Sequence, residues 1–398
     1  MNILIFADSL ALGGGAEKFA ASLGNELAKR EHQIYYLTTF DDNPKYDFEG
    51  EYFSFNQKKS RNIIYRALDF FLKPYKISKI CKNNKIDAVI SVGEEANFRA
   101  ILSKYFFKNR SKIFSTHHLD PEVHLNNRIN YNKIKFLYSK SDKVICVSKA
   151  IERTLNNKYS LKNVLTIYNS MDINLNLKKG DIKLAEKYKP IFDENLVFIN
   201  IGRLDFQKGQ WFLIRSFKKV LKKADKVKLC ILGDGDLKDD LYKLVDELGL
   251  KNDVFFLGNH DNVFPFLKNS DCFVLSSLLE GFPLTLIEAL SMNLPVISTD
   301  CKTGPRECLC PELDIDEEIK YPYFGEYGIL TKPFNKEINL NTLEKSELDV
   351  NEEIIYKTMV KIIENPDLKN KYSNGLKRAE EFDKDRIIGQ WERLLEEE

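Results

Sequence analysis

The chain has 398 residues, of which 43% are apolar and 30% are charged, and its formal net charge is +1. This composition is typical of a globular protein and excludes a disordered or fibrous one, while the length predicts two domains of roughly 150 to 200 residues each. No apolar stretch approaches the ~20 residues of a membrane-spanning helix. The apolar start at Met1 reaches Asp8 without the basic lead of a signal peptide, so it predicts a first buried strand.

The seven cysteines are odd in number, and no two of them have the C-x-x-C spacing of redox and zinc motifs. Several lie inside apolar runs, as Cys146 and Cys272 do, so we expect buried free thiols in a reducing cytosol. Cys308 and Cys310 are the one candidate metal pair, but no histidine lies near them in the sequence. These observations favour a cytoplasmic protein whose cysteines bind no metal.

Positive charge is concentrated in the first part of the chain. Residues 1–180 contain 29 Lys and Arg against 18 Asp and Glu, whereas the rest contains 31 against 41. The excess is densest from Lys58, Lys59 and Arg61 to Lys85, where Asp69 is the only acid. A basic helical region with aromatic residues can lie on an anionic membrane, such as the inner face of the plasma membrane. The alternatives are a solvated lysine-rich surface and a nucleic acid site, for which the chain has no recognisable motif.

Short continuous apolar runs alternate with amphipathic stretches in the first part of the chain. Residues 16–29 form one such stretch, with Phe19, Leu23 and Leu27 on one helical face. Because continuous apolar strands that alternate with helices form parallel sheets covered on both faces, the pattern predicts a Rossmann-like domain. Its predicted strands are 3–6, 34–37, 88–92, 112–115, 144–147 and 164–168.

The second part repeats this scheme, so we predict an α/β protein with two doubly wound parallel-sheet domains, 1–175 and 196–365. A polar, lysine-rich linker is expected at 176–195. Helices without a further strand are expected at 351–364, 366–381 and 383–397. The last helix of the 366–398 tail must bury its apolar side, and we expect it to pack on the first domain. The predicted strands of the second domain are 196–201, 227–232, 254–257, 272–276, 295–298 and 328–330.

A glycine-rich loop, Gly13-Gly14-Gly15, lies between the first predicted strand and the first predicted helix. Glycines allow a backbone to approach a ligand closely, and a helix N-terminus favours anions. The full G-x-G-x-x-G spacing is missing, and the end of the second strand carries Thr38 and Thr39 without a convincing acidic partner, which disfavours a nicotinamide cofactor. The loop is therefore a candidate phosphate or acceptor contact, with a simple tight turn as the alternative.

Two cations follow the first strand of the second domain. Gly202 ends that strand, and Arg203 and Lys208 lie in the loop before the next helix. Strand ends of a parallel sheet face the ligand crevice, and two fixed cations there suit a diphosphate. The alternative is an exposed loop with ordinary surface cations.

The run from Ser276 to Ala289 is the most informative part of the sequence. It places Glu280 in a loop after a buried strand and Glu288 in the helix that Pro283 begins. Amides near Leu284 and Thr285 would point into the crevice and could bind phosphate. Glu288 lies about five residues beyond the N-terminus of this helix, or ~7.5 Å along its axis. Measured from a phosphate at the N-terminus, this distance suits a contact with a ribose.

These residues carry a family resemblance that extends over nearly the whole chain and is strongest over 198–310. The run from Glu280 to Glu288 resembles the signature of retaining GT-B glycosyltransferases of family 4, also called glycosyltransferase group 1. Thr303-Gly304-Pro305 is similar to bacterial members that assemble surface polysaccharide, lipopolysaccharide or lipid-linked oligosaccharide. The chain departs from the family where Asn169 is followed by Ser-Met instead of Gly-Val. Further similar runs are 202–209, 233–235, 147–150, 168–172 and 289–297.

The resemblance implies two Rossmann-like domains that face each other across a cleft, with the donor in the second domain. It implies transfer of a hexose or N-acetylhexosamine from a UDP-sugar to a glycan or lipid-linked glycan, with retained anomeric configuration and without a metal. Arg203 and Lys208 would stabilise the leaving diphosphate, Glu288 would bind the ribose and Glu280 the sugar. Further donor contacts would come from Gly14, Gly202, Gly233, Gly235, Gly281, Phe282, Leu284 and Thr285.

The acceptor side is less defined by the sequence. His117 and His118 follow a strand of the first domain, and the resemblance implies that one of them contacts the reacting sugar or the acceptor. We prefer His117 as the catalytic one because it is nearer the strand end, with a structural role for the pair as the alternative. Gly13, Gly14 and Gly15 complete the acceptor-side candidates.

Three other interpretations are weighed against transfer. Asp234 and Asp236 have the D-x-D pattern of some metal-binding glycosyltransferases, but they lie in a glycine turn where Asp236 suits a helix N-cap. A nucleotide-sugar epimerase of similar architecture would need acid–base residues on both sides of the sugar. A non-catalytic nucleotide-sugar-binding partner is disfavoured because Arg203, Lys208, Glu280 and Glu288 are all present.

Overall fold

The computed structural model describes residues 1–11, 14–40, 44, 47–55, 63–124 and 128–397. It divides the chain into two compact units. The first comprises Met1–Asn169 and Asp385–Glu398, and the second comprises Ser170–Lys384. Gly13, Lys58, Lys59 and Arg61, which the sequence singled out, lie outside the described residues.

The first unit contains a seven-stranded sheet in the order β3-β2-β1-β4-β5-β6-β7, and every neighbouring pair is parallel. The parallel sheet is confirmed, and one strand that the sequence did not predict, β3, extends it at one edge. The strands are β1 (Asn2–Ala7), β2 (Gln33–Thr38), β3 (Glu51–Ser54), β4 (Ala88–Val92), β5 (Lys112–His117), β6 (Lys143–Cys146) and β7 (Val164–Thr166). The helices are α1 (Gly15–Ala28), α2 (Ile63–Asn83), α3 (Glu94–Phe107), α4 (Pro121–His124), α5 (Arg128–Tyr138) and α6 (Lys149–Tyr159).

The second unit has the same arrangement, with the strand order β10-β9-β8-β11-β12-β14-β13. Only its two-residue edge strand β13 is antiparallel to its neighbour. The strands are β8 (Leu196–Ile201), β9 (Val227–Leu232), β10 (Val254–Gly258), β11 (Cys272–Leu275), β12 (Val296–Thr299), β13 (Tyr323–Phe324) and β14 (Ile329–Thr331). The helices are α7 (Ile173–Gly180), α8 (Lys189–Phe192), α9 (Gln210–Val220), α10 (Lys238–Glu247), α11 (Phe264–Lys268), α12 (Leu284–Ser291), α13 (Pro305–Leu309), α14 (Val350–Glu364), α15 (Pro366–Lys371) and α16 (Gly375–Ala379).

The segment 176–195, expected as a linker, belongs to the second unit and is mostly helical. It contains the end of α7, a short 3₁₀ helix at Glu186–Tyr188 and α8. The Asp172 side chain caps α7 by accepting from the Leu175 amide. Capping of this kind supplies a partner for one of the otherwise unpaired first-turn amides, which explains how a polar, lysine-rich sequence forms a helix.

A buried ion pair holds the second unit's tail helix α14 against α9. Arg215 donates from Nε to Glu352 Oε1 at 2.7 Å, and both side chains have at most 1% exposure. The guanidinium makes further bonds, since Nη2 donates to the backbone oxygens of Ser346 and Glu347 and Nη1 donates to that of Asn341. A buried charge is tolerated only when it is paired and hydrogen-bonded in this way.

The last helix, α17 (Lys384–Glu396), contributes to the core of the first unit. Trp391 is 1% exposed, and its ring lies 6.1 Å from that of Phe19 on α1. At the surface, Arg30 forms ion pairs with Asp385 and Glu392. The apolar residues of α17 that join this core are Ile387, Ile388, Trp391, Leu394 and Leu395.

All seven cysteines are free and buried, as the sequence predicts. Burial raises the pKa of the Cys230 thiol to about 12, so this thiol is protonated at neutral pH. Within the described part of the chain, no helix is long and apolar enough to cross a membrane.

Candidate active site

The loop between β8 and α9 carries the two candidate cations of the second unit. The Asp205 side chain accepts from the Lys208 amide at 3.2 Å, which closes a single 3₁₀ turn over Phe206–Lys208. Arg203 is 66% exposed and forms an ion pair with Asp205 at 2.7 Å. The aliphatic stem of Lys208 lies over Gly202, because a Cβ at Gly202 would come within 3.2 to 3.4 Å of it. The loop therefore fixes Lys208 more firmly than Arg203.

Lys208 and Glu280 form an ion pair at the carboxyl edge of the sheet. Lys208 Nζ donates to Glu280 Oε1 at 2.6 Å, with side-chain exposures of 18% and 9%. Ser277 Oγ donates to the same oxygen, also at 2.6 Å. Because both bonds end on Oε1, Glu280 Oε2 can accept from a further donor. Lysine likewise has three donors and gives one to Glu280, so it can bind an anion while it holds the carboxylate in place.

Backbone contacts lock the two loops that carry this ion pair together. Gly209 has a φ of 59°, and a Cβ there would lie 2.6 Å from the Ser276 carbonyl oxygen. Ser276 Oγ donates to the Lys208 carbonyl at 2.8 Å, and the Leu278 amide donates to the Gln207 carbonyl at 2.7 Å. Only a glycine suits this combination of left-handed backbone and close approach.

The glycine turn after β9 packs against the backbone of Gly202 and Leu204. Gly233 has a φ of 141°, and a Cβ there would overlap the Gly202 carbonyl oxygen. A Cβ at Gly235 would lie 2.5 Å from the Leu204 carbonyl oxygen. Gly233 and Gly235 thus position the cation loop through its backbone.

Helix α12 begins directly after the Glu280 loop. Its N-cap residue is Pro283, with Leu284 and Thr285 in the first turn, where amides have no intrahelical partner. The Thr285 hydroxyl is buried without a hydrogen-bond partner among the described residues, an arrangement that native proteins usually complete with a ligand or water. Glu288 is half-buried one turn further along the helix, ~6 Å from Leu284 at 1.5 Å per residue.

Thr303 and Gly304 stabilise the Glu280 loop from the segment between β12 and α13. The Thr303 hydroxyl donates to the backbone carbonyl of Glu280. Gly304 has a φ of 94°, and a Cβ there would overlap the Pro283 ring. The sequence offered Thr303-Gly304-Pro305 only as a subset motif, whereas the structure shows that it supports the loop.

The D-x-D pattern has a local structural role. Asp234 accepts from the Gly235 amide at 2.9 Å and pairs with Lys238 at 3.1 Å. The prediction of Asp236 as a helix N-cap was wrong, because the N-cap of α10 is Leu237 and Asp236 is exposed before it. Among the described residues no three His, Cys, Asp or Glu side chains are grouped to hold a metal.

In the first unit, His117 and His118 line one pocket of about 230 Å³ at the end of β5. Thr116 Oγ1 donates to the Ser91 carbonyl, so its oxygen accepts from His118 Nε2 at 2.9 Å. Burial, and to a lesser extent the neighbouring His117, lowers the pKa of His118 to about 3. His118 is therefore neutral at pH 7. The His117 ring lies 5.0 Å from that of Tyr138.

An acidic side chain that the sequence analysis did not select lies at the end of β1. Burial, and then the charge of Glu95, raises the pKa of Asp8 to about 6, while Arg99 and the Thr39 hydroxyl oppose the rise. Asp8 accepts from Thr39 Oγ1 at 3.3 Å and lies 3.9 Å from Arg99. Its position at a strand end is the signal by which sequence reasoning could have found it.

Gly14 and Gly15 lie at the start of α1. Gly14 is the N-cap residue with a φ of −84°, and Gly15 is the first helical residue, where a Cβ would meet nothing within 4 Å. Neither position requires glycine for its backbone conformation.

Comparisons with known proteins agree with this architecture. A family model for glycosyltransferases of family 4 matches residues 13–175, and one for glycosyl transferases group 1 matches residues 181–314. An uncharacterized glycosyltransferase of Methanocaldococcus jannaschii is 43% identical over 91% of this chain and 92% of its own length. The chain therefore belongs to the glycosyltransferases.

Two further proteins are similar at lower identity. An N-acetylgalactosamine-N,N′-diacetylbacillosaminyl-diphospho-undecaprenol 4-alpha-N-acetylgalactosaminyltransferase of Campylobacter jejuni is 29% identical over 96% of both chains. The crystal structure of HepE from Anabaena in complex with UDP superposes with a TM-score of 0.75 at 20% identity, covering 99% of both chains. The fold is that of a GT-B glycosyltransferase, as the sequence predicts.

Proposed function

We propose that this protein transfers a hexose or N-acetylhexosamine from a UDP-sugar to a glycan or lipid-linked glycan, with retention of the anomeric configuration. The ion pair between Lys208 and Glu280 carries this proposal. It places a cation and a carboxylate with an available oxygen at the carboxyl edge of a parallel sheet, where such sheets bind ligands.

In the donor complex, Lys208 and Arg203 bind the diphosphate, and Arg203 exchanges its contact with Asp205 for phosphate oxygens. The first-turn amides of α12 and the Thr285 hydroxyl bind the same group, since a helix N-terminus favours anions. Glu288 accepts from the ribose hydroxyls. Glu280 Oε2 accepts from hydroxyls of the transferred sugar. Gly202, Gly233, Gly235, Gly281 and Phe282 shape the backbone of the site.

The reaction breaks the bond between the sugar C1 and the diphosphate oxygen and forms a bond from C1 to the acceptor oxygen on the same face. The acceptor proton passes to the departing phosphate oxygen, so the products are the glycoside and UDP. Negative charge develops on the leaving group, and the preorganised cations and amides stabilise it. This arrangement assigns no step to a metal.

The first unit binds the acceptor in this proposal. The pocket lined by His117 and His118 supplies hydrogen-bonding groups at its sheet edge, and Gly14 and Gly15 lie at the start of α1 near this edge. The full name of the Campylobacter relative specifies an undecaprenol-linked acceptor, which supports a lipid-linked acceptor here and a peripheral position on the inner face of the plasma membrane. UDP in the Anabaena HepE structure supports a uridine nucleotide.

A thermal-shift panel with UDP, GDP, ADP, CMP and NAD, each with and without magnesium, tests the donor site. Ligands that bind the folded state raise its melting temperature, so we expect a selective rise with UDP that does not depend on magnesium. A UDP-sugar that gives the rise is then incubated with candidate acceptors, and NMR of the product reads the anomeric configuration.

Other outcomes would redirect the proposal. A flat response to every nucleoside diphosphate would refute the donor site. UDP binding with an interconverted free sugar would support the epimerase alternative, and binding without any turnover would support a non-catalytic partner. An inverted product would refute retention alone.

A further inference from the structure

An exposed aromatic surface covers one side of the first unit. We call it the aromatic face and define it by Phe70, Phe71, Leu72, Tyr75, Tyr105, Phe106 and Phe136, which lie on α2, α3 and α5. Each of these side chains is 48% to 56% exposed. Six of the seven aromatic residues described as exposed belong to it, the exception being Tyr242 of the second unit. Such a concentration marks an interaction surface, whereas single exposed apolar residues do not.

Residues 70–75 of helix α2 show the reverse of the usual burial pattern, although Ile77 and Cys81 further along the helix are buried. Lys73 is 4% exposed and lies 3.3 Å from Asp69, whereas Phe70, Phe71 and Tyr75 on the same helix face solvent. Burial lowers the pKa of Lys73. Folding of the unit alone would favour buried rings and an exposed lysine, so the folding of the unit does not explain this arrangement.

Four of these rings, Phe70, Phe71, Phe106 and Phe136, line one groove of about 640 Å³. Phe70 and Phe71 lie 5.1 Å apart on α2, and Tyr105 of α3 lies 4.9 Å from Phe106 and 6.0 Å from Phe136 of α5. The two acids at the groove are neutralised, since Asp69 pairs with Lys73 and Glu95 with Arg99.

A cationic pocket of about 520 Å³ adjoins the aromatic face. It is lined by Lys82, Lys85, Lys108 and Arg110, with no acidic side chain in its wall. The connection runs through Phe107, which lines the pocket and whose ring lies 5.8 Å from that of Tyr75. Within the described part of the chain, none of the four cations has an ion-pair partner.

We propose that the aromatic face and the cationic pocket together dock the first unit onto an anionic lipid bilayer. The aromatic rings enter the interfacial layer, where such rings are favoured, and the four cations bind lipid phosphates. The proposal deepens the proposed function. It rests on that function in one respect, namely that the enzyme would find a lipid-linked acceptor at this membrane surface. It goes beyond the lysine-rich stretch of the sequence by locating the contact on three helices.

Charge complementarity selects a bilayer over a second copy of this chain. A symmetric dimer through the aromatic face would bring two cationic pockets close to each other, with no acids to neutralise them. An anionic bilayer instead supplies the negative charge next to an apolar layer. Both chemical properties of the surface are thus matched by one partner.

Co-sedimentation of the full chain with vesicles tests this directly. Phosphatidylglycerol mixed with phosphatidylcholine is compared with phosphatidylcholine alone, and no glycan acceptor or donor is present. We expect binding to the anionic vesicles that weakens with added salt, and weak binding to the neutral ones. No binding to anionic vesicles, or equal binding to both, would overturn the proposal.

Two variants with matched controls separate the contributions. Phe71→Ser with Phe106→Ser should lower the vesicle partition coefficient at least about tenfold, since two rings lose their apolar contacts. Tyr242→Ser is the control and should leave the coefficient unchanged.

Lys82→Glu with Lys85→Glu should lower the vesicle partition coefficient about tenfold or more. The control, Lys243→Glu with Lys251→Glu in the second unit, should have little effect. Target variants that bind as the wild type would overturn the proposal.

A UDP thermal shift and light scattering accompany every variant. A retained UDP shift shows that the variant is folded, and it keeps failure of membrane docking distinct from failure of the donor site. If the wild type is a dimer that the Phe71→Ser and Phe106→Ser changes dissociate, and vesicle binding is unaffected, the face is a dimer interface and the proposal is wrong.

Discussion

Both sheets reverse their strand order at the same topological place, between their first and fourth strands. In the first unit these strands are β1 and β4, and in the second they are β8 and β11. Each reversal carries a pair of opposite charges. Asp8 lies 3.9 Å from Arg99 in the first unit, and Lys208 lies 2.6 Å from Glu280 in the second. One topology thus produces the same kind of crevice twice.

The two crevices differ in how firmly their groups are held. In the second unit, Gly209, Gly233 and Gly304 admit close backbone contacts that lock the loops together. At the crevice of the first unit, Gly93 has a φ of 103°, and a Cβ there would lie 2.9 Å from an Asp8 side-chain oxygen, not from a backbone atom. This crevice also buries ionisable side chains, and burial raises the pKa of Asp8 and lowers the pKa of His118. Close backbone packing therefore holds the loops of the second unit's crevice, whereas buried side chains contribute more to that of the first unit.

The largest expected effect separates the two carboxylates of the second unit. Glu280→Ala should reduce kcat at least about a hundredfold, because the sugar loses its acceptor and Lys208 loses its anchor, while UDP affinity falls less than about tenfold. Glu288→Ala should weaken UDP binding more. Steady-state kinetics and calorimetric titration with UDP measure both, with Glu247→Ala as the surface control. Equal effects of the two changes on binding would contradict these roles.

The two cations should rank by how firmly they are fixed. Lys208→Ala is expected to lower kcat/KM for the donor roughly a hundredfold, since the lysine is held at the developing charge. Arg203→Ala, which removes a side chain that is 66% exposed, should cost about tenfold. Initial rates at low donor concentration give both values, with Lys243→Ala as a control. The reverse ranking would show that the ion pair with Glu280 does not preorganise Lys208.

The glycine packing can be tested without touching a charged group. Gly233→Ala should lower the free energy of unfolding by about 2 kcal/mol or more and impair donor binding, because a Cβ overlaps the Gly202 carbonyl oxygen. Gly249 also has a positive φ, of 64°, but a Cβ there would meet only Lys218 Nζ at 4.0 Å, so Gly249→Ala is expected to cost about 1 kcal/mol of backbone strain. Denaturant unfolding compares the two. Similar losses would show that the close approach is unimportant.

The smallest effect is expected at Asp8. The folded-state pKa of Asp8, about 6, lies above the ordinary value, so between about pH 4 and pH 6 the folded state binds more protons than the unfolded state. The contribution of Asp8 therefore lowers the free energy of unfolding as pH rises through this range. Asp8→Asn should therefore stabilise the protein at pH 7 by up to about 1 kcal/mol, since solvent still reaches the side chain. Denaturant unfolding at pH 7 and pH 4 measures the difference. A gain of equal size at both pH values would exclude ionisation as its cause.

Sequence patterns predicted most of the fold because long buried strands are continuous apolar runs. The short strands β3 and β13 were missed, since the former has one exposed and three half-buried residues and the latter has only two residues at an edge, which is too little for a periodicity. In the candidate site, the sequence predicted that Lys208 and Glu280 lie at one edge of the sheet. It did not predict their direct contact, the bond from Ser277 or the support from Thr303, because these depend on how neighbouring loops pack.

The aromatic face could not be predicted for a related reason. The run Phe70-Phe71-Leu72 has the composition of a buried core, and only packing shows that these side chains face solvent while Lys73 is buried. The local sequence predicts the helix and its apolar residues. It does not predict which side of the helix the rest of the unit covers, because that depends on tertiary packing.

The position of α17 has a consequence for biosynthesis. Its Trp391 and Leu394 complete a core whose residues outside α17 are translated more than two hundred residues earlier. During synthesis the first unit thus emerges from the ribosome with part of its apolar interior uncovered, while the second unit, continuous from Ser170 to Lys384, can fold as soon as it is made. The nascent first unit has to wait for its final helix, and in that interval it is the part of the chain that chaperones are expected to bind.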